Sequence, residues 1–362
     1  MNADHEITTN RLGATAVDER LPAATARPTT MKAIVQDVYG SAEVLELRDV
    51  DRHAIGDNEV LIRVHAAGVD RGVLHLMTGQ PYLMRIAVGL RAPKTRIRGR
   101  EVAGRVEAVG RNVTRFRPGD EVVGTCEVSF AEYACAREDR LARKPANLSF
   151  EQAAVVPISA TTALQALREQ GHVQPGQRVL VVGASGGVGT FAVQLARAFG
   201  ADVTGVCSTA KVDLVRSIGA HRVIDYTRED YGSGQPYDLI LDIGGNSPLS
   251  KLRRALTPRG TLVMVGGEGG GRWTGMDRQF RALAISPFVR HRLRVFITRE
   301  DHEALEFLTK LIEAGSITPV LDRTYPLSDA PEAIRYLAAG RVRGKVVVTT
   351  EPRAVDVGPA HR

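Results

Sequence analysis

The 362-residue chain is short of the residues that would place it in several specialised classes. It has three cysteines, Cys126, Cys135 and Cys207, with no CxxC pair and no spacing that suggests a disulfide framework. A stapled scaffold and a four-cysteine structural zinc site are thereby excluded, and the three read as small buried residues. Aromatics make up 5% of the chain, with one tryptophan, Trp273, so stacking platforms for single-stranded nucleic acid are scarce. No apolar run approaches the length of a membrane span. The opening MNADHEITTN lacks the basic region and apolar core of a secretion signal, and the expected location is the cytoplasm. Charge is close to balanced: the formal excess of +7 suits an anionic cofactor, nucleic acid or nothing specific.

What is present is organised around residues 179–211, VLVVGASGGVGTFAVQLARAFGADVTGVCSTAK. The run 179–182 is β-branched and aliphatic, the pattern of a central parallel strand buried on both faces. After Gly183 come Ala184, Ser185, Gly186, Gly187, Val188 and Gly189. Val188, Phe191, Ala192, Leu195, Ala196 and Phe199 then recur at helical spacing up to a stop at Gly200. Strand, glycine turn and helix make an anion cradle. Glycines let the backbone approach a diphosphate closely, and the unpaired N–H groups at the helix start attract its charge. Gly186 and Gly189 fill the second and third glycine positions of G-x-G-x-x-G, with Ala184 at the first. A second strand at 203–206 follows at the distance a βαβ unit requires. The implied ligand is a dinucleotide held by Ser185, Gly186, Gly187, Val188 and Gly189.

The end of the second strand chooses between dinucleotides. An enzyme for the unphosphorylated form normally carries Asp or Glu there for the ribose hydroxyls. Cys207 and Ser208 take the place, and Lys211 follows within the next turn. A hydroxyl and an ammonium suit a 2′-phosphate, one charge-assisted bond contributing about 1.5–3 kcal/mol, so the expected cofactor is NADP(H). The plainer reading makes Ser208 a helix N-cap and Lys211 a solvated lysine.

Residues 1–30 are polar and without apolar periodicity, which predicts a disordered tail. Met31 begins MKAIVQDVYG, a second candidate start of translation. Short strands broken by Gly, Pro and Asp are predicted at 32–36, 44–47, 60–65, 102–109, 120–123 and 130–134. From 153 to 297 strands alternate with helices, at 179–182, 203–206, 222–224, 239–242, 261–265 and 293–297, the pattern of a doubly wound parallel sheet. Helices near 302–314 and 329–339 and a strand at 345–349 close the chain. The fold class is α/β with two domains: 31–152 together with 298–350, and 153–297, followed by a tail at 351–362.

Four stretches, HAAGVDRGVLHLMTG (65–79), GREVAGRVEAVGRNVTRFRPGDEV (99–122), QPGQRVLVVGASGGVG (174–189) and GKVVV (344–348), carry a resemblance covering residues 31–350. Together they resemble the zinc-independent branch of the medium-chain dehydrogenase/reductase superfamily, the quinone oxidoreductase and zeta-crystallin group. The resemblance implies a GroES-like β-rich catalytic domain beside a Rossmann cofactor domain, and a homodimer through the last strand of the parallel sheet. Zinc-using relatives hold their metal with Cys, His and Cys; matched by motif, Asp70, Arg100 and Ile158 stand here. An arginine does not lose its proton to become a ligand, so the implied enzyme is metal-free. Asp70 and Arg100 would form an ion pair across the vacated site, either purely structural or leaving the guanidinium aimed at a substrate carbonyl. His75 stands where zinc alcohol dehydrogenases place a relay histidine, a proton source near the nicotinamide ribose. Gly72 replaces the hydroxyl residue of that relay, which argues against efficient alcohol oxidation. By the same resemblance Thr162 lies beside the nicotinamide, Tyr226 beside the 2′-phosphate, Gly266 near the carboxamide, and Asp242 opens the loop after the fourth strand. Lys345 either reaches the cofactor or is a strand-edge lysine.

The function implied is hydride transfer from NADPH to an electron-poor small molecule, a quinone, enone or related carbonyl, with the protein positioning the acceptor and excluding water. An NAD(P)-dependent alcohol dehydrogenase or carbonyl reductase is the near alternative. A nucleotide-sensing or RNA-binding protein with vestigial activity is the distant one, suggested by Arg85, Arg91, Lys94, Arg96, Arg98, Arg100 and Arg105. Only Tyr82 stands nearby to stack on a base, so a solvated loop at the cleft mouth is the plainer account. The segment 272–291 is expected to shape the substrate pocket or a subunit contact.

Overall fold

Valine-rich runs in the chain become strands, and two large sheets and a separate two-stranded ribbon result. The computed structural model describes residues 30–266, 271 and 273–350. At its start β1 (Thr30–Gln36) pairs antiparallel with β2 (Leu45–Asp51). There follow β3 (Glu59–Val69), α1 (Arg71–Thr78), α2 (Arg85–Val88), β4 (Glu101–Val109), β5 (Glu121–Thr125), β6 (Tyr133–Arg137) and β7 (Leu141–Arg143). Two helices, α3 (Phe150–Ala153) and α4 (Pro157–Gln165), lead into an alternating stretch: β8 (Arg178–Val182), α5 (Gly187–Ala198), β9 (Asp202–Cys207), α6 (Val212–Ser217), β10 (Arg222–Asp225), β11 (Tyr237–Asp242), α7 (Leu249–Arg254), β12 (Leu256–Met264), α8 (Asp277–Ile285) and β13 (Arg292–Val295). The chain closes with α9 (His302–Glu313), β14 (Leu321–Pro326), α10 (Ala330–Ala338) and β15 (Lys345–Thr349).

The alternating stretch is α/β: its six strands are all parallel, in the order β10-β9-β8-β11-β12-β13. Val179, Leu180 and Val181 of β8, and Leu239, Ile240 and Leu241 of β11, are shielded on both faces of the sheet. Strand order reverses between β8 and β11, and a doubly wound sheet opens a crevice at the strand ends there. The other sheet has the order β14-β15-β3-β4-β5-β7, with β6 also on β3. Strand β15 lies antiparallel to β3, pairing Val346 with Val69, so the last described strand joins a sheet built mostly from residues 59–143.

Three departures have physical causes. Strand β2 runs six residues beyond Leu45 with no other buried residue, so it shows no apolar alternation to read. Phe130 is buried but precedes β6; its N–H donates to the Arg98 carbonyl at 2.8 Å. The helical run 279–289 stops at Ile285, where Pro287 forces a tighter turn. The predicted tails at 1–30 and 351–362 lie outside the described residues, apart from Thr30, which opens β1. Cys126 and Cys207 are buried and Cys135 half-buried, and burial pushes the Cys126 thiol up to about 12.

Candidate active site

The glycine turn after β8 and the start of α5 form one wall of a cavity of about 370 Å³. Gly186 and Gly189 are bare for different reasons. A Cβ on Gly189 would collide with the Gly183 carbonyl, so its absence lets α5 lie against the strand end. At Gly186 the backbone is extended (φ −86°, ψ 176°), and an added Cβ would find its nearest neighbour, the Gly183 carbonyl oxygen, at 3.6 Å. Neither packing nor backbone geometry asks for glycine there, whereas a Cβ would fill space that a ligand needs. As N-cap of α5, Gly186 offers no side-chain acceptor, which leaves the first helical amides for an anion. The residues present fit a dinucleotide diphosphate.

The turn is fastened to the other sheet. The Gly344 N–H donates to the Ser185 carbonyl at 2.9 Å, and Gly186 and Gly344 form an isolated parallel bridge. Lys211 lines the same cavity, and its Nζ donates to the carbonyls of Gly340 (3.0 Å) and Val342 (2.7 Å). Burial holds its pKa below the ordinary lysine value. It is therefore not a freely solvated lysine, and one of its three N–H donors remains for a ligand. Ser208 occupies an N-cap position but makes no capping bond with its side chain.

Asp70 and Arg100 line this cavity too, but the expected ion pair between them is absent. Asp70 caps α1, its Oδ1 accepting the Val73 N–H at 3.0 Å, and its buried Oδ2 has no partner. Arg100 pairs instead with Glu300. Glu300 also accepts from Thr125 Oγ1 at 2.8 Å and lies 3.9 Å from Arg140. The extended segment carrying it is tied to α4 by Thr162–Thr298 (2.9 Å) and by two bonds between Gln165 and Arg299. Arg100, Thr298 and Glu300 line a second cavity of about 820 Å³, so Arg100 borders both spaces. Among the described residues no group of three or more His, Cys, Asp or Glu is placed to hold a metal ion.

Residues 56–146 match the alcohol dehydrogenase GroES-like domain and residues 218–348 the zinc-binding dehydrogenase family. The chain is 36% identical to the protein named NAD(P)H oxidoreductase RTN4IP1, mitochondrial, of Mus musculus, over 89% of this chain and 90% of the mouse protein. The chain belongs to the medium-chain dehydrogenase/reductase superfamily. It is also 32% identical to 2-methylene-furan-3-one reductase of Solanum lycopersicum, over 90% and 80% of the two chains. The structure of the quinone oxidoreductase from Coxiella burnetii superposes with a TM-score of 0.77 at 30% identity, covering 89% of this chain and 100% of that one. The protein is an NAD(P)H-dependent oxidoreductase acting on a small molecule, with a GroES-like unit and a Rossmann unit. No described helix is long and apolar enough to cross a membrane.

The remaining expected positions of this oxidoreductase divide. Lys345 is 3% exposed and forms a fully buried ion pair with Glu101. Its strand is interior, between β14 and β3, so the strand-edge reading is overturned. Glu101 Oε1 accepts the Ile158 N–H at 3.0 Å, and burial pushes the Glu101 carboxyl above the usual range. Asp242 does not line the cavity: it is fully buried in an ion pair with Arg278 of α8, and burial raises its pKa. Gly266 packs against the Ile243 carbonyl and Thr162 donates to the Ile158 carbonyl at 2.7 Å, and neither lines either cavity. Tyr226 is 58% exposed at the end of β10, its N–H on the Cys207 carbonyl at 3.1 Å.

His75 lies within α1 and lines a separate space of about 550 Å³ against Thr274 and Met276, with Nδ1 2.9 Å from the Gln80 carbonyl. It is not brought together with Asp70 and Arg100. Trp273 packs edge-on against Tyr82 at 5.5 Å on that side, while Arg272 lies outside the described residues. Much of the basic stretch is internally engaged: Arg85 donates to the Gly79 carbonyl (2.9 Å), Arg96 to Asp37 (2.7 Å) and Arg105 to Glu121 (2.8 Å). Sequence reasoning missed Glu300, which sits in no motif, and passed over Glu101 as the partner of a buried lysine.

Proposed function

We propose that the enzyme passes hydride from NADPH to a quinone, enone or related electron-poor carbonyl without a catalytic metal. The observation that carries this is the wall at Arg100, which borders both cavities. There the wall is formed by Arg100, fixed by Glu300, with Asp70 and the Ile158 main chain at the other positions where zinc-using relatives carry ligands. A guanidinium cannot coordinate a metal. It can hydrogen-bond an acceptor carbonyl and stabilise the negative charge that develops on its oxygen. The nicotinamide supplies the hydride; the chain holds the diphosphate at α5, orients the acceptor in the larger cavity and keeps water out. With chelator-treated enzyme, quinones and enones should be reduced as NADPH is oxidised, and simple alcohols should give no reduction of NADP+. A requirement for added zinc would defeat the proposal.

The preference for NADPH rests on Ser208 and Lys211. Asp225, paired with Cys207 across the ladder, has its carboxylate engaged by Thr209 (2.5 Å) and Thr227 (2.7 Å) rather than free for ribose. Replacing Lys211 with alanine is expected to raise KM for NADPH at least about tenfold, roughly 1.4 kcal/mol, and to change that for NADH less than about twofold. Because Lys211 also holds the 340–342 loop, equal changes for both nucleotides would assign it to loop anchoring instead. The same proposal takes residues 31–152 with 298–350 as the catalytic unit and 153–297 as the cofactor unit. It also pairs two copies across the open edge at β13, where Phe288 and Ile297 are each 87% exposed.

A further inference from the structure

Arg98 is 4% exposed, yet among the described residues its guanidinium makes no hydrogen bond and no ion pair, and its Nε is buried without a partner. Burying a cation without an anion is strongly unfavourable. Burial pulls the pKa of Arg98 down to about 10, against a smaller opposing influence from Tyr39. Its backbone is nonetheless pinned on both sides: its N–H donates to the Ile34 carbonyl at 3.2 Å, and its carbonyl accepts from Phe130 at 2.8 Å. The position is fixed while its charge is unanswered.

Arg98 lines the 820 Å³ cavity, which it shares with Arg100. The carboxylates there do not serve it. Glu300 is engaged by Arg100 and Thr125, Asp301 caps α9 through the Ala304 N–H at 2.8 Å, and exposed Glu127 makes no ion pair with it. We propose that Arg98 is an anion-binding point for the acceptor: the substrate carries a carboxylate or phosphate that this guanidinium holds, while its reducible carbonyl reaches toward Arg100. A planar guanidinium recognises either anion through paired N–H bonds. The inference rests on the reductase reading and narrows it to anionic acceptors.

The test compares the wild type with Arg98→Met, using 1,4-naphthoquinone and 1,4-naphthoquinone-2-sulfonate as matched acceptors with NADPH. Expected is a KM for the sulfonate raised at least about tenfold in the variant, roughly 1.4 kcal/mol, with the neutral quinone changed less than about twofold. Equal changes for the two overturn the proposal. A second arm needs no turnover: calorimetric titration of 2-naphthoate and of 1-naphthyl phosphate, in which the anion whose binding falls more in the variant identifies the source. If no quinone is reduced but these anions bind the wild type and not the variant, the anion site stands and the reductase reading falls. Tm should hold or rise in Arg98→Met, because an unpaired buried charge is removed; a marked fall would make Arg98 a structural residue and end the proposal.

Discussion

Changing Gly186 to aspartate is expected to weaken binding of NADPH and NADH at least about a hundredfold, roughly 2.8 kcal/mol, while Tm stays level or rises. The opposite signs follow from one position. Asp is a favoured N-cap and its charge suits the positive end of a helix, and the extended backbone at Gly186 accepts a side chain with no atom nearer than 3.6 Å to the new Cβ. The fold therefore tolerates the change or gains from it. The same carboxylate occupies the amides meant for the diphosphate and repels its charge. Titration of each nucleotide beside a thermal melt checks both halves. A Gly186→Asp variant that binds like wild type would move the diphosphate away from α5.

Removing Lys345 should produce the largest loss of stability. Lys345→Met leaves Glu101 fully buried with its charge uncompensated, and breaking such a pair from one side costs about 3–5 kcal/mol. The loss depends on pH with a definite sign. Burial raises the folded-state pKa of Glu101, whereas the unfolded value is about 4.3, so with rising pH the unfolded chain releases this proton first. The penalty is small near the unfolded value and grows as pH climbs through the folded one. Urea midpoints for variant and wild type should therefore diverge more at pH 8 than at pH 5. Adding Glu101→Gln should recover most of the loss at pH 8. A single variant within about 1 kcal/mol of wild type would show that the pair carries little of the stability.

What the sequence made legible was what is local. Strand, turn and helix around Gly186 lie within one contiguous run, and each choice there, β-branched residues then glycines then a 3.6-residue apolar repeat, points to the same structure. The ion pairs that shape the site are not local: Arg100 and Glu300 are 200 residues apart and Glu101 and Lys345 are 244 apart. Motif spacing supplied a candidate partner for Arg100 in Asp70, but that carboxylate caps α1 through the Val73 N–H. Asp242 shows a second limit. A strand's end could be read, yet not that Arg278, 36 residues further along the chain, would pair with the carboxylate. Strand β7, three residues long, is too short for any periodicity.

The bond between Gly344 and Ser185 has a mechanical consequence. The peptide unit that opens the phosphate cradle in one sheet is anchored to the residue just before β15 in the other, and Lys211 adds a second tether a few residues away. Any relative movement of the two sheets has either to break these bonds or to carry the Ser185–Gly186 turn with it. A substitution that removes the Lys211 tether is therefore expected to alter how fast a nucleotide leaves before it alters how tightly an acceptor is held.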